Sequence, residues 1–255
     1  MPTHSSLRRF RDSRISYSGR VVRRVTPGYF MAAYNLIVIP PHIQKVAEAD
    51  FPTRWGRFRI YGFEGSFEEL PATDSELNDL ARHGVVERRK ESAVALVMGD
   101  IHTQPPLVRI HSQCLTGDVF GSQRCDCRQQ LELALQMISD AGNGVLIYEE
   151  QEGRGIGLMA KLQAYELQDK GLDTVEANEQ LGLKADYRQY SLPVEIMKAL
   201  GIRQLRLLSN NPDKVKAVED AGIEVVERVS AEVAAYPTSE AYLKTKKEKM
   251  GHIFG

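Results

Sequence analysis

The sequence lacks long apolar runs and has almost no net charge. No stretch approaches the roughly 20 apolar residues that cross a bilayer, and the N-terminus has no apolar core typical of a secretory signal. Lysine and arginine total 33 against 34 acidic residues, which leaves a net charge of −1 at pH 7. The chain as a whole therefore lacks the basic excess of a nucleic-acid binder. These absences predict a protein that partners neither a membrane nor a nucleic acid.

Cysteine is scarce, with three residues in a chain of 255. An odd and closely spaced set does not make the disulfide framework of a small secreted protein, so we expect the reducing cytoplasm. All three cysteines lie in one stretch, CLTGDVFGSQRCDC, at Cys114, Cys125 and Cys127. This clustering requires a local chemical explanation.

The first thirty residues differ in composition from the rest. Between residues 5 and 25 there are seven arginines and one acid, Asp12. Three interpretations are open. The segment is typical of a disordered basic tail, and its composition is also similar to that of an organellar transit peptide. Alternatively, Met31 is the true start and the residues before it are not part of the protein. We predict that residues 1–30 are a tail or mis-called start without a catalytic role, and that residues 31–255 form the catalytic domain.

Strand and helix patterns alternate along the second half of the chain. The stretch QQLELALQMISDAG places apolar residues on one helical face and stops at Gly142, and GVLIYEE is typical of a short buried strand. The same apolar patterns predict further strands before this stretch and further helices and strands after it. Residues 66–91 are mostly polar, which predicts a helical or loop excursion on the surface. The pattern predicts an α/β fold, a mixed β-sheet core with flanking helices and a metal site where a strand meets a loop.

The spacing of the cysteines suits a metal better than a disulfide. Cys125 and Cys127 are too close to bridge without strain, but as thiolates both could reach one zinc ion, with Cys114 joining across a short loop. Three protein ligands leave one tetrahedral position open, as in catalytic zinc sites, where the pKa of bound water falls to about 7. Two alternatives stay open: three idle buried thiols, or a closed structural site with His111 as the fourth ligand.

Several motifs together resemble those of the GTP cyclohydrolase II family. They are RIHSQCLTGDVFGSQRCDC, QEGRGIGL, DTVEANEQLG and ADYRQYS. The resemblance covers roughly Val46–Gly255 and is weakest at residues 66–91. It implies zinc-dependent hydrolysis of GTP, the first step of riboflavin biosynthesis. The imidazole ring opens at C8, formate and diphosphate leave, and 2,5-diamino-6-(5-phospho-ribosylamino)pyrimidin-4(3H)-one remains.

The resemblance also implies cofactors and assembly. One Zn²⁺ per chain would be held by the three cysteines, Mg²⁺ would accompany the GTP triphosphate, and the protein would be a homodimer. Many homologues are fused to a domain that makes dihydroxybutanone phosphate. No stretch here is long enough for that domain, so we expect a single activity.

The resemblance assigns three catalytic residues. Asp186 would accept a proton, and the phenol of Tyr165 would donate a hydrogen bond to the group that forms at C8. In the family, the residue matched by Arg188 is often assigned to attack the α-phosphate. Because the pKa of arginine exceeds 12, we interpret Arg188 as stabilising charge on the phosphates.

Twelve positions match the nucleotide contacts of the family. They are Arg109, Ile110, His111, Ser112, Gln113, Gln130, Glu152, Gly153, Arg154, Thr174, Ser209 and Lys214. A guanidinium suits a phosphate by its fork geometry, and a glutamine amide can both donate to and accept from a guanine edge. The glycine-rich turn lets the backbone approach a ligand. Lys214 is expected in the first turn of a helix, where its positive charge opposes the helix dipole. A bound anion would remove that conflict.

Four positions depart from the family pattern. Gln113 stands in place of Glu, Arg128 in place of Gly, Glu150 in place of Arg, and Ser209 in place of Thr. The first two make the surroundings of the metal more positive, and Glu150 adds negative charge near the expected triphosphate. Two other functions stay open: a paralogue that opens the same ring in another pathway, and a non-catalytic zinc module that binds nucleotide or RNA.

Overall fold

The computed structural model describes residues 15–17, 20–22, 42–68, 88–184, 186–234 and 236. The chain divides into two compact units, of which the first comprises residues 1–38 and 69–87. The described part of this unit is an antiparallel pair of short strands, β1 (Ile15–Tyr17) and β2 (Arg20–Val22). The tail prediction for residues 1–30 lies mostly outside the described residues and stays a prediction.

The second unit, residues 39–68 and 88–255, contains a mixed sheet. Its described strands are β3 (His42–Thr53), β4 (Gly56–Glu68), β5 (Arg88–Met98), β6 (Leu107–Ser112), β7 (Gly144–Glu149), β8 (Gln204–Leu208) and β9 (Glu224–Val229). They are arranged in the order β3-β4-β5-β7-β6-β8-β9. The pairs from β3 to β7 are antiparallel, and those from β7 to β9 are parallel.

Five helices in the described part of this unit flank the sheet, which confirms the predicted α/β class. They are α1 (Cys127–Ala141), α2 (Leu158–Gln168), α3 (Thr174–Gln180), α4 (Ser191–Ala199) and α5 (Pro212–Asp220). Helix α1 stops at Gly142 as the sequence predicts, and this glycine adopts a φ of 64°. The polar excursion is shorter than expected, because β4 continues to Glu68 and β5 begins at Arg88; the residues between them lie outside the described part.

Two apolar clusters cover the two faces of the sheet. Val145 and Ile147 of β7 pack in one cluster with side chains of α4 and α5, whereas Leu146 packs in the other with side chains of α1. Successive residues of a strand point to opposite faces, so a buried parallel strand is apolar throughout. Among the described residues, none of the helices combines the length and apolar character needed to span a bilayer.

The parallel half of the sheet positions the functional residues. Strands β6, β7 and β8 run in the same direction, so their carboxyl ends lie at one edge. The chain leaves β6 into the cysteine loop, β7 into the glycine-rich turn and β8 into the start of α5. Sites in open α/β sheets form at such an edge, and three motifs distant in sequence meet there.

Candidate active site

One cavity lies at the carboxyl ends of β6, β7 and β8, and it brings together most of the expected site residues. Those that line it are Arg109, His111, Ser112, Gln113, Cys114, Cys125, Cys127, Gln130, Glu152, Gly153, Arg154, Tyr165, Thr174, Arg188, Ser209 and Lys214. Two expected residues do not line it. The side chain of Ile110 lies in the hydrophobic core, and Asp186 reaches the cavity only through Arg188, to which it is bonded.

The three cysteine sulfurs converge in a geometry that fits zinc. The sulfurs of Cys114 and Cys125 are 3.7 Å apart, and all three sulfurs lie within 4.8 Å of one another. A Zn–S bond of about 2.3 Å implies roughly 3.8 Å between sulfurs of a tetrahedral site. Gly117 leaves the room for this arrangement, because a Cβ there would lie 3.0 Å and 3.1 Å from the Cys125 and Cys114 sulfurs. The sequence analysis missed Gly117, whose only sequence signal is its place inside the cysteine loop.

The geometry does not favour His111 as a fourth ligand. Among the described residues, the metal-binding cluster at this site contains the three cysteines alone. The Nε2 atom of His111 instead lies 3.2 Å from both carboxylate oxygens of Asp118. Burial lowers the pKa of His111 even though Asp118 opposes the shift. The three cysteines alone would leave one of the four tetrahedral positions of a zinc ion open.

Asp118 organises the cysteine loop. Its carboxylate accepts hydrogen bonds from the backbone N–H of Cys114 at 3.0 Å and from the Tyr148 hydroxyl at 2.9 Å. The Tyr148 ring also stacks on His111, with 5.5 Å between ring centroids. Burial and the charge of Asp118 raise the pKa of Tyr148, so the phenol remains a donor. Neither Asp118 nor Tyr148 carries a distinctive sequence signal.

Lys161 and Glu152 form a buried ion pair beside the cysteines. The Lys161 Nζ lies 2.7 Å from Glu152 Oε1 and 3.2 Å from the Cys114 sulfur. Burial alone would lower the pKa of Lys161, but the charge of Cys114 and the bond to Glu152 outweigh it and hold the pKa above the ordinary value. The other Glu152 oxygen accepts a 2.6 Å bond from the Leu115 N–H. Both oxygens of this expected substrate contact are thus engaged within the protein.

Tyr165 faces the same loop from α2. Its hydroxyl lies 3.2 Å from Thr116 Oγ1, which in turn is 3.7 Å from the Cys114 sulfur. The guanidinium of Arg124 stacks on the Tyr165 ring at 4.8 Å. Burial raises the pKa of Tyr165, so its hydroxyl is protonated and able to donate at neutral pH.

The glycine-rich turn after β7 adopts left-handed backbone at consecutive positions. Gly153 has a φ of 61° and Gly155 a φ of 87°, and between them Arg154 has a φ of 64°, the only positive value for a non-glycine residue in the described part of the chain. Such a conformation is costly for a residue with a Cβ. A Cβ on Gly155 would lie 3.0 Å from the Cβ of Tyr187, so the turn packs closely on the segment that carries Asp186 and Arg188.

Asp186 and Arg188 form a local ion pair in irregular backbone, as expected for residues two apart that enter one site. The Nε atom of Arg188 lies 3.0 Å from each Asp186 oxygen. Burial raises the pKa of Asp186, but the hydrogen bonds and charge of Arg188 prevail and hold it below the usual value. Asp186 is therefore a carboxylate at neutral pH.

Two further buried cations, Arg109 and Lys214, line the cavity. The Lys214 Nζ donates to the Ile110 carbonyl at 2.9 Å, and Arg109 donates to the Leu208 carbonyl at 3.0 Å and to Gln130 Oε1 at 2.6 Å. Burial, assisted by the charges of Arg109 and Arg188, lowers the pKa of Lys214 well below its ordinary value. An anion in the cavity would relieve this repulsion between neighbouring cations.

The charged departures from the family pattern lie outside the cavity lining. Arg128 is exposed and its Nε is 3.2 Å from Glu132. Glu150 is exposed and accepts a 2.7 Å hydrogen bond from Ser92. Gln113 does line the cavity. Of the three departures that we expected to change the charge of the site, only Gln113 therefore lies in the cavity lining.

Comparison with known proteins identifies similar sequences. A model of the GTP cyclohydrolase II family matches residues 44–230. GTP cyclohydrolase-2 from Buchnera aphidicola subsp. Acyrthosiphon pisum is 49% identical over 212 residues, which cover 83% of this chain and 98% of that protein. GTP cyclohydrolase-2 from Cronobacter sakazakii is 50% identical over 83% of this chain and 97% of its own. Riboflavin biosynthesis protein RibBA from Chlorobium phaeovibrioides is 47% identical, and the match covers 47% of its length.

Proposed function

This chain belongs to the GTP cyclohydrolase II family, and we propose that it opens the guanine imidazole ring of GTP at C8 as the first step of riboflavin biosynthesis. The convergence of three cysteine sulfurs in a cavity lined by buried cations is the observation that carries the proposal. The nearby cations suit a triphosphate, and the open position suits a hydrolytic metal.

Cys114, Cys125 and Cys127 would hold the zinc ion. When bound, zinc supplies a Lewis acid that activates water for attack on C8 and polarises the bond that breaks. Gly117 keeps the sulfurs close together, and Lys161 offsets part of their negative charge. Tyr165, protonated and adjacent to the cysteine loop, donates a hydrogen bond to the oxygen that develops charge at C8.

The phosphates would bind beside the buried cations of the cavity lining. Arg109, Lys214 and Arg188 present positive charge there, with Arg154 and the backbone of Gly153 at the glycine-rich turn. Asp186 orients Arg188 through its paired hydrogen bonds and accepts the proton of a water molecule that attacks the α-phosphate as diphosphate leaves. Mg²⁺ would accompany the triphosphate, because departing diphosphate concentrates negative charge.

The remaining expected contacts complete the nucleotide site. They are Ile110 through its carbonyl, His111, Ser112, Gln113, Gln130, Glu152, Thr174 and Ser209. Glu152 would act mainly by holding Lys161 and the Leu115 backbone. We further propose that the enzyme is a cytoplasmic homodimer, in keeping with the family resemblance and the scarcity of cysteine.

The test is product analysis with zinc-loaded protein, GTP and Mg²⁺. Mass spectrometry should detect formate, diphosphate and the diaminopyrimidine ribose phosphate in equal amounts. Cys125→Ser should lose both bound zinc and all three products, while Asp186→Asn should retain zinc and lose turnover. A product that still carries the formyl group would instead favour the paralogue, and unchanged GTP with zinc bound would refute the proposal.

A further inference from the structure

Asn210 has a buried amide donor that is not used within the described protein. It follows β8, lines the cavity and is 5% exposed. Its Nδ2 atom is inaccessible to solvent and has no hydrogen-bond partner among the described residues. Buried donors are almost always satisfied in folded proteins, so an unused one in a cavity wall points to a ligand.

The orientation of this amide is determined by its other end. The Oδ1 atom of Asn210 accepts a 3.0 Å hydrogen bond from the backbone N–H of Ala231, and Arg228 and Ser230 lie 3.4 Å from the same oxygen. A flipped amide would place its NH₂ against the backbone N–H and the guanidinium, both of which can only donate. The NH₂ group therefore faces away from them.

Neighbouring groups in the cavity wall are also donors. The Nε atom of Arg109 is buried without a partner among the described residues. Another nitrogen of this guanidinium donates a hydrogen bond to the carbonyl of Leu208, at the end of the strand β8 that precedes Asn210. Lys214 follows in the first turn of α5 and is 5% exposed. A wall of donors and buried positive charge selects a group that only accepts hydrogen bonds and carries negative charge.

The adjacent asparagine has a different role. The Nδ2 atom of Asn211 donates to the Tyr190 hydroxyl at 3.1 Å, and its Oδ1 caps α5 by accepting from the Asp213 N–H at 2.9 Å. Both ends of this amide are used within the protein. Asn211 thus holds the start of α5, whereas Asn210 keeps an unused donor.

We propose that Asn210 is a substrate-contacting residue whose Nδ2–H donates to a phosphate oxygen of the bound nucleotide. This inference rests on the proposed function for the identity of the ligand and adds a residue to its phosphate-binding wall. The amide contributes a neutral donor where a further cation would add to the repulsion already present between Arg109 and Lys214. A guanine carbonyl is the competing acceptor, and it would not relieve that repulsion.

Asn210→Asp tests this assignment with almost no change of shape. The aspartate retains an acceptor for the Ala231 N–H and Arg228 but removes the donor. Asn211→Asp is the matched control, because it adds the same charge one residue away and retains the cap of α5. Calorimetry measures the affinity of the zinc-loaded protein for inorganic diphosphate and for guanosine. The first ligand reports on the phosphate-binding part of the site and the second on the base-binding part. The KM for GTP is measured on the same samples.

We expect the loss of diphosphate affinity and the rise in the KM for GTP each to be about tenfold larger in Asn210→Asp than in Asn211→Asp. The guanosine affinity of Asn210→Asp should be unchanged. Equal losses in the two variants, or a loss confined to guanosine, would overturn the assignment. The neutral variant Asn210→Ser provides the same comparison if the aspartate variant does not fold. Wild-type protein that binds diphosphate but does not open GTP would refute the proposed function while leaving this inference intact.

Discussion

The Nζ atom of Lys161 lies 3.2 Å from the sulfur of Cys114 and 2.7 Å from a carboxylate oxygen of Glu152. Three thiolates around a divalent ion carry a net negative charge, which weakens the ion as a Lewis acid. A cation bonded to one sulfur draws electron density from it, and Glu152 holds the cation in place. The acidity of a metal ion held by these cysteines would therefore depend on α2, a helix that supplies none of the ligands.

Lys161→Met should weaken zinc binding by about 10-fold to 100-fold, because it removes the charge beside the thiolates. Lys161→Arg should retain most of the affinity. Competition with a chromophoric chelator measures it, and the thiolate-to-metal absorption of the cobalt-substituted protein should also shift. Lys170→Met is the control, since Lys170 is exposed and pairs with Glu166. Unchanged zinc affinity in Lys161→Met would refute this role.

Gly117→Ala should disrupt the metal site without unfolding the sheet. The added Cβ would lie 3.0 Å and 3.1 Å from two sulfurs, so one thiolate must move. We expect zinc content to fall well below one ion per chain after dialysis, as measured by plasma mass spectrometry. Gly62→Ala is the control, because its Cβ would lie 3.3 Å from the exposed side chain of Val46 and 4.0 Å from the Cβ of Ala47, far from any sulfur. Full zinc content in Gly117→Ala would contradict the prediction.

Lys214→Met should remove a pH dependence of unfolding from the empty protein and weaken GTP binding. Burial and two neighbouring cations lower the pKa of Lys214 below that of the unfolded chain, so the unfolded state binds more protons between the two pKa values. The wild-type free energy of unfolding should therefore rise with pH across that window. The variant should lack this rise.

Urea unfolding of the zinc-saturated protein between pH 7 and pH 10, with and without GTP, measures both effects. Wild-type protein should gain stability from GTP, and Lys214→Met should gain much less. Lys216→Met is the matched control, because Lys216 is exposed and pairs with Asp220. A rise of stability with pH as large in Lys214→Met as in wild type, in the absence of ligand, would contradict the argument.

Gln113→Glu should change the KM for GTP more than Glu150→Arg does. Gln113 lines the cavity, whereas Glu150 is exposed and bonded to Ser92. A new carboxylate in the cavity wall acts on the substrate at short range, while an exposed charge is screened by solvent. Steady-state kinetics at two salt concentrations distinguish them. An effect of Glu150→Arg as large as that of Gln113→Glu would show that the outer charge also acts on the substrate.

The local rules of chain folding account for what the sequence analysis predicted correctly. Helix α1 stops at Gly142 because a glycine there adopts left-handed backbone. The apolar run of β7 is typical of a strand covered on both faces. The cysteine cluster was visible for a similar reason, since all of its members lie within one short stretch.

The sequence by itself therefore determined the main elements, the fold class and the cluster of three cysteines that could hold a metal, because each depends on residues close together in the chain. Only the tertiary structure decided that Asp118 holds the cysteine loop, that Lys161 of α2 approaches Cys114, and that Asn210 keeps a buried amide donor unused beside the cavity. These contacts depend on which parallel strand ends share an edge of the sheet. That arrangement follows from long-range packing of the apolar faces, which no local pattern of residues specifies.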